Sequence, residues 1–267
     1  MDEPTTVFST GDQGDIIATL PTARALGRCR YLIGWKPQGA RETMRGSRFL
    51  AIKPLLEVQP YIESVAWTEA LPAYNWKDFS SFRNRYQPHR NLAVQQAEAI
   101  GVQISLDPWL TIPNPTQHNR PVIARTHRYH NSLFPWRKLL SVFTSPIFVG
   151  LPNEHKTFTD SYSDAEFVET KDMLELARVI AGASIVLSNQ TAAWWIAAGI
   201  GKPTIQESYL TDLNSVIERP NLFYSRSASE INELLWKFAS KPCLTESKDT
   251  QHVGIGLSIQ TAPSRSG

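Results

Sequence analysis

Apolar residues fall along this chain in two successive series of short strand-like runs, each followed by residues at helical spacing. Thr6-Val7-Phe8 reads as a buried strand. Ile16, Ile17, Leu20 and Ala23 then recur at the three-to-four-residue interval of an apolar helix stripe, which predicts a helix over 15 to 27. Tyr31-Leu32-Ile33-Gly34 follows as a strand, then a helix near 47 to 58, the strand Ser64-Val65-Ala66-Trp67, and a helix over 91 to 100 ended by Gly101. The alternation restarts with the strand Val122-Ile123-Ala124 and continues with a helix around 136 to 143, the strand Ile147-Phe148-Val149-Gly150 and a helix over 171 to 181. A strand over 184 to 187, a helix over 191 to 198, a strand over 203 to 206 and a last helix over 228 to 239 complete it.

Residues 104 to 121 hold four prolines and few strong helix formers, so they read as a crossover between the two series. The fold class expected is α/β: two Rossmann-like domains with parallel sheets facing a central cleft, in a compact version. The predicted organisation is an N-terminal domain over 1–110, a C-terminal domain over 111–240 and a tail over 241–267. The tail turns to Ser, Thr, Gln and Gly, and its last dozen or so residues are expected to be mobile. Ligands of such folds sit beyond the carboxyl ends of the strands, here the facing edges of the two halves.

Composition changes this picture little. The 267 residues are 42% hydrophobic and 19% charged with a net charge of +2, an ordinary globular balance that demands no nucleic-acid footprint. The first third is locally basic, with Arg24, Arg28, Arg30, Lys36, Arg41, Arg45 and Arg48, which reads either as a solvated face or as contact with an anionic acceptor. Cys29 and Cys243 belong to no disulfide framework or metal-ligand spacing, so a reducing, cytoplasmic setting fits. Met1-Asp2-Glu3-Pro4 lacks the features of a secretory signal. No run approaches the roughly 18 apolar residues of a spanning helix, although peripheral membrane contact stays open.

The first chemical signal is the stretch Thr10-Gly11-Asp12-Gln13-Gly14-Asp15, where a strand ends in a glycine turn at the mouth of a helix. Gly11 and Gly14 let the chain turn sharply and let a substrate approach the backbone. Asp12 and Asp15 suit helix capping. Asp15 equally suits abstraction of a proton from a neutral hydroxyl, because a carboxylate there repels the phosphates that helix N-termini attract.

The second half places its polar residues at strand ends. Arg125 and Arg128 could clamp a diphosphate, with Thr126 donating a hydroxyl, or could form a solvated arginine turn. Glu154, after Gly150, could hold a ribose or cap the next helix. Asn189, Gln190 and Thr191 precede a helix whose first N–H groups could take a phosphate; a plain N-cap is the rival reading. Of the adjacent Trp194 and Trp195, one belongs in the core and the other lines the cleft or stacks on a base or sugar. Glu207 is the last carboxylate at a strand end.

Absent signals narrow the reaction. The chain has no Gly-x-Gly-x-x-Gly, Walker loop or Gly-x-Ser-x-Gly elbow, no paired-histidine metal motif and no Asp-x-Asp. Arginines and helix N-termini would therefore carry a diphosphate without a metal.

With these residues in view, the chain resembles the GT-B glycosyltransferases of the ADP-heptose:lipopolysaccharide heptosyltransferase type, glycosyltransferase family 9. Gly14-Asp15-Ile16-Ile17-Ala18-Thr19-Leu20-Pro21 is similar to the family's Gly-Asp-(Val/Ile)-x-x-(Thr/Ser)-Leu-Pro signature, whose Asp is the proposed base. The segment 125 to 136 is similar to its first donor loop, and Gly150-Leu151-Pro152-Asn153-Glu154 to the loop whose Glu binds the nucleotide ribose. The segment 182 to 204 resembles the donor-helix region, with the family's Asp-Thr-Gly replaced by Asn189-Gln190-Thr191 and its following His by Trp194.

The resemblance implies an inverting, metal-independent glycosyltransferase with a nucleotide sugar as co-substrate and no resident cofactor. Asp15 would be the base acting on an acceptor hydroxyl of a glycan, a small molecule or DNA. Arg125, Thr126, Arg128, Gly150, Glu154, Asn189, Gln190, Thr191, Trp194 and Glu207 would hold the donor, with Thr10, Gly11, Asp12, Gln13 and Gly14 on the acceptor side. Alternatives on the same fold are a transferase acting on a modified nucleobase in DNA, a non-catalytic nucleotide-sugar-binding protein and a sugar-nucleotide epimerase.

Overall fold

The structure is a computed structural model that describes residues 3–34, 46–72 and 75–239. The tail from 241, and with it Cys243, lies outside the described residues, as do Lys36, Arg41 and Arg45.

The first part builds β1 (Thr5–Ser9), α1 (Gln13–Ala18), α2 (Leu20–Leu26), β2 (Cys29–Gly34), α3 (Ser47–Glu57), β3 (Ile62–Thr68), β4 (Trp76–Asp78) and α4 (Leu92–Ala99). Its sheet has the order β3-β2-β1-β4 and is parallel throughout. The helix predicted over 15 to 27 is in fact two. It begins earlier because Asp12 is extended and serves as N-cap, and it breaks at Thr19. Pro21 has no N–H to continue the ladder, and Thr19 donates its hydroxyl to the Ile16 carbonyl at 2.7 Å, closing the turn. Strand β4 is a second departure from the sequence reading, and it is the strand that creates a crevice beside β1.

The second part builds β5 (Val122–Ala124), α5 (Trp136–Leu140), β6 (Ile147–Phe148), α6 (Pro152–Ser161), β7 (Glu166–Phe167), α7 (Met173–Ala181), β8 (Val186–Asn189), α8 (Ala192–Ile200), β9 (Thr204–Glu207), β10 (Leu222–Phe223) and α9 (Ala228–Leu234). Its parallel order, β10-β9-β8-β5-β6-β7, is the doubly wound order of dinucleotide-binding sheets. Strands such as Val122-Ile123-Ala124 and Val186-Leu187 are apolar without alternation because helices cover both faces.

One apolar cluster runs through both sheets, from Val7 and Ile33 to Val186 and Tyr224. The proline-rich crossover is part of that packing. Trp109 N and Leu110 N both donate to the Gly199 carbonyl at the end of α8, at 2.7 and 2.9 Å. A side chain on Gly199 would meet Leu110 at 2.7 Å, so the close approach needs glycine. Tyr61 and Arg24 hold the crossover from the first part, donating to the carbonyls of Trp109 and Pro108.

Helices α1 and α8 meet at their N-termini, where a Cβ on Gly14 would lie 3.6 Å from Trp195 and 3.7 Å from Ala192 N. No helix among the described residues is long and apolar enough to cross a membrane.

Candidate functional site

Each sheet reverses its strand order once, between β1 and β4 in the first and between β5 and β8 in the second. Crevices at such reversals, beyond the carboxyl ends of the strands, are where open α/β sheets bind ligands. Here both crevices open into one cavity of about 480 Å³. The turn after β1 supplies Thr10, Gly11, Asp12, Gly14 and Asp15, and the turn after β4 supplies Phe82, Arg83 and Tyr86. From the second sheet come Arg128 and Tyr129 after β5, Gln190, Thr191, Ala192 and Trp195 after β8, and Asp212 and Asn214 after β9.

On the first side Asp15 sits in the opening turn of α1. Its Oδ2 accepts from Asp12 N at 3.1 Å and from Arg83 Nη2 at 2.6 Å. The capping role that the sequence weighed against catalysis is therefore realised, together with an ion pair that the sequence did not show. Gln96 pins the backbone by donating to the Asp15 carbonyl at 3.1 Å. Both side-chain bonds fall on Oδ2, so Oδ1 has no protein partner among the described residues. Asp12 lies between two guanidiniums, with Arg48 Nη1 at 3.4 Å and Arg128 Nη1 at 3.6 Å. Thr10 donates its N–H and its hydroxyl to Ser80 Oγ, fastening the β1 turn to the β4 turn. Gln13 lies off the cavity wall.

Gly11 makes this geometry possible. Its φ is +129°, and a Cβ there would stand 2.5 Å from both Arg83 Nη2 and Asp15 Oδ2. Gly11→Ala should therefore displace the Asp15–Arg83 pair. The strained backbone costs about 1–3 kcal/mol. Thermal unfolding should show the loss, and ligand binding in the cavity should weaken with it.

On the second side the structure gives the residues singled out in the sequence their protein partners. Arg125 follows β5. It is bidentate on Glu207, at 2.6 and 2.9 Å, with side-chain exposures of 9% and 0%, and its guanidinium lies over Trp136 and Tyr162. Glu207 also accepts from Asn131 N at 3.0 Å, so this carboxylate is fully engaged inside the fold. Glu154 caps α6 by accepting from Leu151 N at 2.9 Å. Gly150, with φ of +146°, leaves it room: a Cβ would be 2.9 Å from Glu154 Oε2.

Asn189 is wholly buried and ties the β5 loop to the end of β8, accepting from Thr126 N and donating to the carbonyls of Thr126 and Arg128. Trp194 is core, its indole N–H donating to the Ser215 carbonyl at 3.1 Å; Trp195 is the one on the cavity. Arg128, Gln190 and Thr191 thus line the cavity, and Arg125, Thr126, Gly150, Glu154, Asn189, Trp194 and Glu207 are not among its lining residues.

The N-terminus of α8 opens on the cavity. Thr191 is an extended N-cap whose hydroxyl lies 3.2 Å from Ser188 Oγ and does not cap the helix. The first N–H groups of α8, which no intrahelical carbonyl can satisfy, point from the helix end, and Arg128 stands on the same side.

Among the cavity residues that the sequence did not single out are Arg83, Tyr86, Asp212 and Asn214. Tyr86 donates to Asp212 Oδ2 and accepts from Asn214 Nδ2 at 2.6 Å. Desolvation and the bond to Asp212 hold the Tyr86 phenol protonated, well above its ordinary range. Arg83 and Tyr86 follow β4, which periodicity does not show, and Asp212 and Asn214 lie in the loop well beyond the end of β9, so no sequence signal marked them.

No family sequence model matches the chain, and no curated protein sequence matches it. Solved structures do. Heptosyltransferase WaaC of E. coli with ADP superposes with a TM-score of 0.59 at 13% identity, over 87% of this chain and 98% of that one. A family 9 glycosyl transferase from Veillonella parvula gives 0.53 at 11% identity, over 88% and 90%. TibC of enterotoxigenic E. coli, an iron-containing dodecameric glycosyltransferase, gives 0.53 at 15% identity, over 85% and 64%. The chain therefore has the two-sheet GT-B architecture of the heptosyltransferases.

Proposed function

We propose that this chain is a glycosyltransferase that moves a sugar from a nucleotide-sugar donor to an acceptor hydroxyl, with inversion at the anomeric carbon and Asp15 as general base. The observation that carries this reading is the opposition of two groups across one cavity. Asp15, whose Oδ1 has no protein partner among the described residues, stands on the first sheet; the end of α8, without a side-chain cap, and Arg128 stand on the second. A diphosphate on the second side directs the anomeric carbon into the cavity. An acceptor oxygen reaching it from the first side gives its proton to Asp15, forms the new C–O bond and breaks the bond to the diphosphate. The diphosphate leaves with the electron pair, and its developing charge meets Arg128 and the α8 dipole. Arg83 acts as a positioning residue, holding Asp15 Oδ2 so that Oδ1 is presented to the acceptor. The reaction requires no metal in this reading, and transfer should persist in EDTA. The WaaC structures with ADP and with ADP-2-deoxy-2-fluoro heptose make adenine nucleotides the first to try.

Thermal-shift screening of ADP, GDP, UDP and CDP and their sugar conjugates tests the donor. A true donor at 100 times its Kd adds about 2.7 kcal/mol of stability, and NMR of the product should show the anomeric configuration inverted. Retention of configuration, or stabilisation by none of these nucleotides, overturns the proposal. Binding without transfer to any acceptor favours a non-catalytic binding protein instead. Arg128→Gln should weaken diphosphate binding by roughly tenfold or more, because a hydrogen bond to a charged group contributes about 1.5–3 kcal/mol. Its side chain is 57% exposed, so the unfolding temperature should barely move.

A further inference from the structure

We infer that Asp212, with Tyr86 and Asn214, forms the corner of the cavity that reads the hydroxyl groups of the transferred sugar. This deepens the glycosyl-transfer reading and rests on it.

The corner is built rather than incidental. Tyr86 comes from the first sheet's side and Asp212 and Asn214 from one loop of the second, and all three line the same cavity as Asp15. The segment that carries Asp212 is fastened to the start of α8 by one side chain. Gln190 accepts from Tyr209 N at 2.7 Å and donates to the Asp212 carbonyl at 2.6 Å. It is also fastened to the start of α4, where Leu92 N donates to the Asn214 carbonyl at 2.7 Å and Asn91 donates to the Val216 carbonyl at 2.8 Å. Groups held this way from both sheets keep their geometry without a ligand, which is what specific recognition requires.

Chemistry separates this corner from the diphosphate side. Asp212 Oδ1 accepts from Asn214 N at 3.2 Å, and Oδ2 accepts from Tyr86 and, at 3.3 Å, from Asn214 Nδ2. A carboxylate has about four acceptor positions, and these donors leave one over. Asn214 Oδ1 adds another, since it has no protein partner among the described residues. The corner is thus negative and rich in acceptors. It repels phosphate and welcomes O–H donors, the groups a sugar offers along its ring.

Its place is also right. Gln190 ties it beside the α8 N-terminus, where the diphosphate belongs, and Asp15 lies close enough to act on the charge of Tyr86. A sugar bridging from diphosphate to attacking oxygen passes this corner.

The test is calorimetric titration of wild type, Asp212→Asn and Tyr86→Phe with each nucleoside diphosphate named above and with its sugar conjugates. In both variants the diphosphate should bind within about twofold of wild type. The sugar conjugate should bind at least tenfold more weakly to Asp212→Asn, in line with loss of a charge-assisted hydrogen bond, and severalfold more weakly to Tyr86→Phe. Parallel weakening of both ligands would show a merely structural corner and overturn the inference, as would unchanged binding of the conjugate. Tyr86→Phe removes one hydroxyl only and keeps the test decisive if Asp212→Asn fails to fold. If wild type binds conjugate no better than diphosphate, the corner fails while the nucleotide-binding reading stands. If wild type binds no diphosphate, the glycosyl-transfer reading falls and takes the corner with it.

Discussion

Asp15→Asn should lower the rate of glycosyl transfer by about 10²- to 10⁴-fold, the usual contribution of a positioned general base, while leaving nucleotide-sugar affinity within about twofold of wild type. The amide oxygen can still accept from Asp12 N, so the turn before α1 survives. What disappears is the basic oxygen and half of the ion pair with Arg83. Capping alone predicts something different. Loss of a cap costs about 1 kcal/mol of stability and would lower the unfolding temperature without touching the chemical step. Single-turnover transfer at saturating donor, measured beside thermal unfolding, tells the two roles apart. A variant that unfolds early but transfers at the wild-type rate would reduce Asp15 to a cap. Asp12→Asn is the internal control. Asp12 occupies the N-cap position of the same turn without a side-chain capping bond and lies between Arg48 and Arg128, so its loss should change donor binding more than the chemical step.

How far the sequence carried can be seen at particular residues. Apolar runs marked most long elements, because parallel strands buried on both faces are apolar throughout and the helices between them are amphipathic. The three residues of β4 defeated that reading: Trp76-Lys77-Asp78 is half-buried and has no apolar run. With β4 went the turn that delivers Arg83 and Tyr86 to the cavity. Trp194 and Trp195 posed another limit. Helix α8 is buried nearly all round, between its own sheet and α1, so periodicity could not say which indole met the cavity. Charges at strand ends were the hardest case. A carboxylate after a strand, such as Glu154, looks the same whether it waits for a ribose or caps a helix, and here it accepts from Leu151 N at the start of α6. Only the partner decides, and partners such as Arg125 and Glu207 lie 82 residues apart.

That pair yields the largest effect on stability. Glu207→Ala should cost about 3–5 kcal/mol, the range for removing one partner of a buried ion pair. At roughly 2–4 °C per kcal/mol for a chain of this size, the unfolding temperature should fall by about 10 °C. The reason is desolvation: Glu207 is wholly buried, and without it the Arg125 guanidinium is left uncompensated beneath Trp136 and Tyr162. Asn131 N loses its acceptor as well. Arg125→Met should be comparably damaging. Combining Arg125→Met with Glu207→Leu should recover most of the loss, because no buried charge then remains unpaired. Differential scanning calorimetry of the double variant and of the single variants Arg125→Met and Glu207→Leu closes the cycle. The alternative is that these residues hold the donor's diphosphate directly. Arg125→Met would then raise the donor's Kd at an unchanged unfolding temperature, and the double variant would bind no better than the single one. The bidentate pairing of the two side chains requires the opposite: a large coupling in stability, with nucleotide affinity retained wherever the protein stays folded.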